Sequence, residues 1–154
     1  MTQKSPKTID VFHGAWEFLS NFYPCTIHYN GNNFPTVEHA FQAAKSRDPM
    51  FWYKIKEMPA EDAGKAKRFG RSARLRSDWD IIKLSLMERF LMQKFSQAGL
   101  REELLRTEGC DLVEGNYWHD NYWGDCKCKK CINQSYSVEI WDYCCRKQTA
   151  IFYQ

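Results

Sequence analysis

Pro35 forces Phe34 into extended backbone, Thr36 is suited to cap a helix, and Val37, Ala40, Phe41 and Ala44 then recur at helical spacing until Pro49 interrupts. A short amphipathic helix is therefore expected here, with an apolar stripe that must be covered by other parts of the chain. The same helix carries Glu38 and Lys45. Their separation is two helical turns, so acid and amine leave nearly one face with their backbones roughly 10 Å apart. A small molecule fits between them. The plain alternative is a solvated face with two unrelated charges, although helix-surface ion pairs use spacings of three or four.

Around that helix, Ile9 to Phe12 and Cys25 to Tyr29 read as strands, and Asn30-Gly31-Asn32 as a turn that tolerates positive φ, so a small N-terminal sheet or hairpin is expected. Short helices are expected from Phe51 to Met58 and from Ala60 to Phe69, each bounded by proline or glycine. Ser77 can cap the longest helix, with Asp78 and Asp80 at its positive end. Its apolar residues Ile81, Ile82, Leu84, Leu86, Met87, Phe90, Leu91, Met92 and Phe95 cover most of the circumference, which predicts a central helix with Trp79 as a core anchor. Leu100 to Arg106 continues as a short helix after Gly99. From Cys110 to Asn133 periodicity gives way to glycines, aromatics and cysteines, the signature of an irregular loop. Beyond it, Tyr136, Val138 and Ile140 alternate with Ser135, Ser137 and Glu139, favouring a strand, with a helix capped at Asn133 or Ser135 as the alternative.

The chain has 154 residues, of which 16% are aromatic, enough apolar area for one ordinary domain with a real core. No apolar run approaches a membrane span, and Met1 to Asp10 is polar with Pro6, so a soluble, cytoplasmic or nuclear protein is expected. Seven cysteines are an odd number without an export signal, which favours reduced thiols or a metal over a disulfide scaffold. A net charge of +3 is too small for a general nucleic-acid binder. Lys65, Lys67, Arg68, Arg71, Arg74 and Arg76 nevertheless lie close together, as either a local anion site or a solvated loop after a helix.

Four segments, taken in order and spacing, carry a resemblance: Phe18-Leu19-Ser20-Asn21-Phe22-Tyr23-Pro24, the run from Glu38 to Lys45, Gly70-Arg71, and Tyr122-Trp123-Gly124-Asp125. Together they resemble the NADAR family (NAD and ADP-ribose associated, YbiA-like) from about Val11 to Cys131. The resemblance implies an α+β, predominantly helical single domain over residues 1–154 with a small N-terminal β-sheet, in which 132–154 is a divergent tail. It implies hydrolysis of N-glycosidic bonds of ribosides: ADP-ribose on guanine in DNA, RNA or nucleotide, or phosphorylated intermediates of riboflavin synthesis. A functional pairing with an ADP-ribosyltransferase, no membrane and no required cofactor are further implications. By similarity, Glu38, Lys45, Trp123 and Asp125 fall on positions associated with the site, and Lys45 matches a lysine for which the family suggests a covalent role. Family members continue past the cysteines with a glycine, asparagine and Leu-Gly pattern, whereas here Ile132-Asn133-Gln134-Ser135-Tyr136 follows.

The residues make sense of that chemistry. Breaking a ribose-to-nitrogen bond builds positive charge at the anomeric carbon and negative charge on the departing base, so a nucleophile and an acid are both needed. Neutral Lys45 can attack that carbon to give a Schiff base, with Glu38 or Asp125 shuttling the proton. The scheme requires a depressed lysine pKa, which burial or nearby arginines favour and an ionised Glu38 opposes. A charged Lys45 that steadies substrate while water attacks is the alternative. Asn21 suits a ribose hydroxyl or base edge, and Phe22, Tyr122 and Trp123 complete the expected binding set, with core packing the alternative for Phe22. Gly124 allows close backbone approach to a ligand, and Arg71 suits a pyrophosphate better than Arg68 or Arg74.

His39 projects to another side of its helix and reads as structural. Cys126-x-Cys128-x-x-Cys131 is dense enough for zinc, with Cys110, His119, Cys144 or Cys145 as fourth ligand, but it lacks a regular paired spacing. Catalytic thiol, structural zinc and reduced cysteines stay open, and zinc is not favoured. Outside the enzyme class, an ADP-ribose-binding module without turnover and a zinc-stabilised nucleic-acid binder using Lys65 to Arg76 are the competing readings.

Overall fold

The computed structural model describes residues 7–131; the strand or helix expected after Asn133, with Cys144 and Cys145, lies outside the described residues. In chain order the elements are β1 (Lys7–Ile9), β2 (Ile27–Tyr29), β3 (Asn32–Phe34), α1 (Val37–Ala44), α2 (Pro49–Lys56), α3 (Ala63–Phe69), α4 (Trp79–Phe95), α5 (Ala98–Leu105), β4 (Cys110–Leu112), β5 (Gly115–Asn116) and β6 (Asp125–Cys126). Short 3-10 segments cover Gly14–Leu19, Ala60–Asp62 and Gly70–Ser72. The fold is α+β and predominantly helical, with its strands in three two-stranded pieces. Among the described residues no helix is long and apolar enough to cross a membrane. The chain forms two compact units, Ser20–Leu100 and a second that joins Met1–Leu19 to Arg101–Gln154.

Ser20–Leu100 is organised around α1. Before it, β2 and β3 form a hairpin in the register Ile27↔Phe34, His28↔Asn33, Tyr29↔Asn32. Its turn is Asn30-Gly31, with φ 46° and 74°, the left-handed pair that a two-residue type I′ turn requires. Asn32, expected in the turn, instead opens the return strand. Thr36 caps α1 as expected, its Oγ1 accepting from the His39 N–H at 3.1 Å. Packing against α2, α3 and α4 goes further than amphipathicity suggests, for all eight residues of α1 are buried, including Glu38, His39 and Gln42. Pro49 ends one helix by opening the next: it sits in the first turn of α2, where its missing N–H costs nothing, and Asp48 caps that turn by accepting from the Met50 N–H at 2.9 Å.

α4 departs from the expectation in two ways. Asp78 rather than Ser77 stands at its N-cap, and the Asp78 carboxylate is held by Arg76 instead of capping the turn. The helix is also one-sided. Trp79, Leu86, Met87, Phe90, Leu91 and Phe95 are buried, with Trp79 against Phe41 at 5.0 Å between ring centroids, but Ile81 is 83% exposed and Leu84 41%. Apolar composition alone does not say which face is covered. Lys94 is buried on the inner face, donating to the Ser20 carbonyl at 2.7 Å, with its ammonium over the Tyr23 and Phe95 rings.

In the second unit, β1 pairs in parallel with β4 and β5 with β6. β1 lies upstream of the expected Ile9 to Phe12 because its pairing with Cys110–Leu112 ends at Ile9↔Leu112. The segment expected to be wholly irregular therefore contributes three strands of two or three residues, too short for alternation to be legible. α5 starts at Ala98 and takes Gly99 inside it, two residues earlier than the glycine suggested.

Candidate active site

Glu38 is 5% exposed, at the second position of α1. Its backbone N–H, one of those a helix start leaves unpaired, donates to the Asn21 carbonyl at 3.0 Å, which ties the Ser20-Asn21-Phe22 segment to the acid. One helical turn on, Gln42 Nε2 donates to Glu38 Oε1 at 2.6 Å. That bond fixes the orientation of the carboxylate. Gln42 has room only because residue 70 is glycine: a Cβ there would lie 1.9 Å from Gln42 Oε1. Two acceptors here, Asn21 Oδ1 and Gln42 Oε1, are buried without a hydrogen-bond partner. Buried oxygens in that condition are costly unless something donates to them, and a substrate hydroxyl or base N–H is such a donor.

Lys45 stands at the C-cap of α1, half-buried, its carbonyl accepting from the Arg76 N–H at 2.8 Å. Burial is the largest influence on its amine and pushes its pKa below the ordinary lysine range. Glu38 pulls the other way, and the like charges of Lys67 and Arg71 push down again. The competition left open by sequence thus resolves toward a lysine that loses its proton more readily than usual. These influences also bring Glu38, Lys45, Lys67 and Arg71 into one electrostatic neighbourhood. Phe22 is 42% exposed, so it is no core residue, and the Lys67 ammonium lies 5.9 Å from its ring centroid.

The basic run divides by role. Arg76 is spoken for, donating to both Asp78 oxygens at 2.6 and 3.0 Å and to the Tyr29 hydroxyl at 3.0 Å, which holds the Asp78 pKa at about 2. Lys65 pairs with Asp62 at 2.8 Å. Lys67 and Arg71 act on Lys45 as like charges, and Arg71 is exposed, as Arg68 and Arg74 are. Sequence reasoning placed Lys67 in the basic run without singling it out, and did not single out Gln42. Gln42 lies between Glu38 and Lys45 at a spacing of four and three, a signal that was present. His39 is fully buried with Nδ1 2.7 Å from Thr36 Oγ1, and burial lowers its pKa, the signature of a neutral structural imidazole. A shallow groove of about 540 Å³ elsewhere in this unit is lined by Thr26, His28, Met92, Gln93, Ser96 and Gln97, without acid or amine.

The second unit carries Tyr122, Trp123, Gly124 and Asp125 on a loop organised by Asn116, which is 2% exposed. Asn116 Oδ1 accepts from the Trp118 and Asp120 N–H groups, and its Nδ2 donates to the Asp120 carbonyl at 2.6 Å. Asp120 in turn accepts from the Tyr122 and Trp123 N–H groups. Tyr122 meets Trp123 edge-on, ring centroids 4.7 Å apart. Asp125 is exposed, its N–H donating to the Glu114 carbonyl at 2.8 Å. The space beside Gly124 belongs to the protein itself, since a Cβ would lie 2.3 Å from the Glu114 carbonyl oxygen. On the same loop, His119, Cys126, Cys128 and Cys131 bring their ligand atoms within 4.8 Å of one another.

Comparison with known proteins places this geometry. The NADAR domain profile matches residues 11–140. N-glycosidase YbiA of Escherichia coli (strain K12) is 37% identical over 108 residues, 70% of this chain and 67% of that protein. Riboflavin biosynthesis protein VVA0006 of Vibrio vulnificus is 38% identical over 119 residues, 75% of this chain but only 31% of its own length, so the chain matches less than a third of that relative. The NMR structure of the E. coli protein YbiA superimposes with a TM-score of 0.75 at 33% identity, covering 97% of this chain and 89% of that one. With the profile spanning most of its length, the chain belongs to the NADAR domain family.

Proposed function

We propose that this protein is an N-glycosidase that detaches ADP-ribose from guanine in nucleic acid or nucleotides, with Lys45 as nucleophile. The observation that carries the reading is the Lys45 amine, lowered in pKa by burial, Lys67 and Arg71 while Glu38 opposes them. A neutral fraction of that amine attacks the anomeric carbon. The bond from Lys45 Nζ to carbon forms as the bond to the base nitrogen breaks, and the departing base takes the electron pair and a proton. The attacking nitrogen gives up its own proton to a carboxylate, Glu38 being the one held ready by Gln42. Opening of the ribose ring then leaves an iminium on Lys45, and water adds to it to release the sugar and restore the amine.

Lys67 and Arg71 supply two positive charges beside the amine, which suits a diphosphate and lowers the pKa of Lys45 with the same groups. Phe22 offers a face for the base, and Asn21 Oδ1 an unused acceptor. Hydrolysis of phosphorylated riboflavin-pathway intermediates is the second reading, favoured by the similarity to the riboflavin biosynthesis protein of Vibrio vulnificus. Offering an ADP-ribosylated guanine oligonucleotide and the riboflavin intermediates side by side to intact and Lys45→Ala protein, with products weighed by mass spectrometry, separates them. Release of ADP-ribose by the intact protein alone supports the first reading. Release only from the riboflavin intermediates supports the second, and binding without any product supports a non-catalytic ADP-ribose module.

A further inference from the structure

We propose that His119, Cys126, Cys128 and Cys131 form a structural zinc site that closes the loop carrying Trp123 and Asp125. All four ligand atoms lie within 4.8 Å of one another. His119 Nδ1 is 3.4 Å from Cys131 Sγ and 3.3 Å from Cys128 Sγ. Zinc bonded to sulfur at about 2.3 Å and to nitrogen at about 2.0 Å sets tetrahedral edges of about 3.5 Å between nitrogen and sulfur and about 3.8 Å between sulfurs. Two of the three nitrogen–sulfur edges are already near that length. With every pair within 4.8 Å, the widest closes by about 1 Å to reach a tetrahedral edge.

The donor set is chemically suited to the ion. Three thiols and one imidazole form a closed shell, the composition of structural rather than catalytic zinc. Binding releases the thiol protons to solvent and leaves a net charge of −1 on the centre, and Lys129 and Lys130 lie in the chain between Cys128 and Cys131, where their charge opposes it, while Lys127 is paired with Asp10. Outer contacts are in place as well. The His119 N–H donates to Cys126 Sγ at 3.3 Å, Asn121 Nδ2 donates to Cys131 Sγ at 3.3 Å, and Asn121 Oδ1 accepts from the Cys126 N–H at 3.2 Å. Cys126 and Cys131 are buried, so two of the sulfurs are shielded from bulk oxidants. Cys110, a second candidate from the sequence, sits in β4 and is not part of the cluster.

Because the chain runs from His119 through Trp123 and Asp125 to Cys126, the ion would fasten both ends of the segment that matches the family motif. The two-residue strand β6 is then held from its own second residue, Cys126.

The test is metal content of the full chain purified without chelators. About one zinc per chain is expected, falling below about a tenth in Cys128→Ser and Cys131→Ser, and retained in Cys25→Ser and in the double variant Cys144→Ser/Cys145→Ser. Cobalt exchanged into the intact protein reports the ligands without any variant: tetrahedral visible bands with thiolate charge-transfer absorption are expected. If the serine variants fail to fold, the cobalt spectrum still decides. Metal-free protein with native circular dichroism, a disulfide within the cluster, or zinc retained when both Cys128 and Cys131 are serine would overturn the assignment.

Discussion

The two units hold their chemical groups by opposite means. In Ser20–Leu100 the residues proposed to react ride on regular structure: Glu38 and Gln42 lie in one helix whose every residue is buried, Lys45 caps its C-terminal end, and α3 and the turn after it carry Lys67 and Arg71. In the second unit, Tyr122 to Asp125 ride on a loop with strands of two residues, fixed by one buried asparagine and a cysteine–histidine cluster. A helix within a packed core shifts pKa values, because burial is what makes a proton costly. A loop held by side-chain hydrogen bonds presents faces and edges to a ligand. Under the proposed function, bond-making falls to the first region and recognition to the second.

Kinetics can break that division. Lys45→Ala is expected to reduce kcat by about a thousandfold or more, with little change in KM, as removal of a nucleophile does. Glu38→Gln is expected to cost about a hundredfold, as loss of a general acid–base group does. It should also move the acid limb of kcat/KM to lower pH: the Glu38 carboxylate raises the Lys45 pKa, and without it the amine stays neutral further into acid. Lys67→Ala moves the limb to higher pH, because a like charge that lowered the pKa is gone. Trp123→Ala is expected to act mainly on KM, by about tenfold, the scale of one lost base-stacking contact. A Trp123 variant that abolished kcat while Lys45→Ala altered only KM would reverse the assignment.

Stability probes the same contrast more gently. Gly124→Ala sets a Cβ 2.3 Å from the Glu114 carbonyl oxygen, which is backbone and cannot turn aside, so a loss of about 2–3 kcal/mol is expected in chemical denaturation. Gly70→Ala instead meets the amide end of Gln42 at 1.9 Å. That end can rotate, so the cost is nearer 1 kcal/mol, accompanied by loss of the Gln42 bond to Glu38 and reduced turnover. Equal stability losses with no effect of Gly70→Ala on turnover would remove Gln42 from the site.

Legibility followed how local each cause is. The Thr36 cap and the Asn30-Gly31 turn are written within a few residues of sequence, and the structure reproduces them. Lys67 and Gln42 were not legible as site residues, because their roles depend on Gly70 letting α3 and its following turn approach α1. The exposed Ile81 and Leu84 show the same limit, since composition fixes neither which face of α4 is covered nor by what. His119 stood among four candidate partners for the cysteines; of the two within the described residues, the folded loop, with His119 at φ 67°, brings His119 rather than Cys110 to the cluster.

Borohydride reduction during turnover tests the central claim most directly, since it converts an iminium on lysine into a stable secondary amine that peptide mass spectrometry can locate. The account predicts a sugar adduct on Lys45, formed only with substrate present and absent from Lys45→Ala. Undiminished turnover with no adduct on Lys45 would contradict it and leave water as the nucleophile.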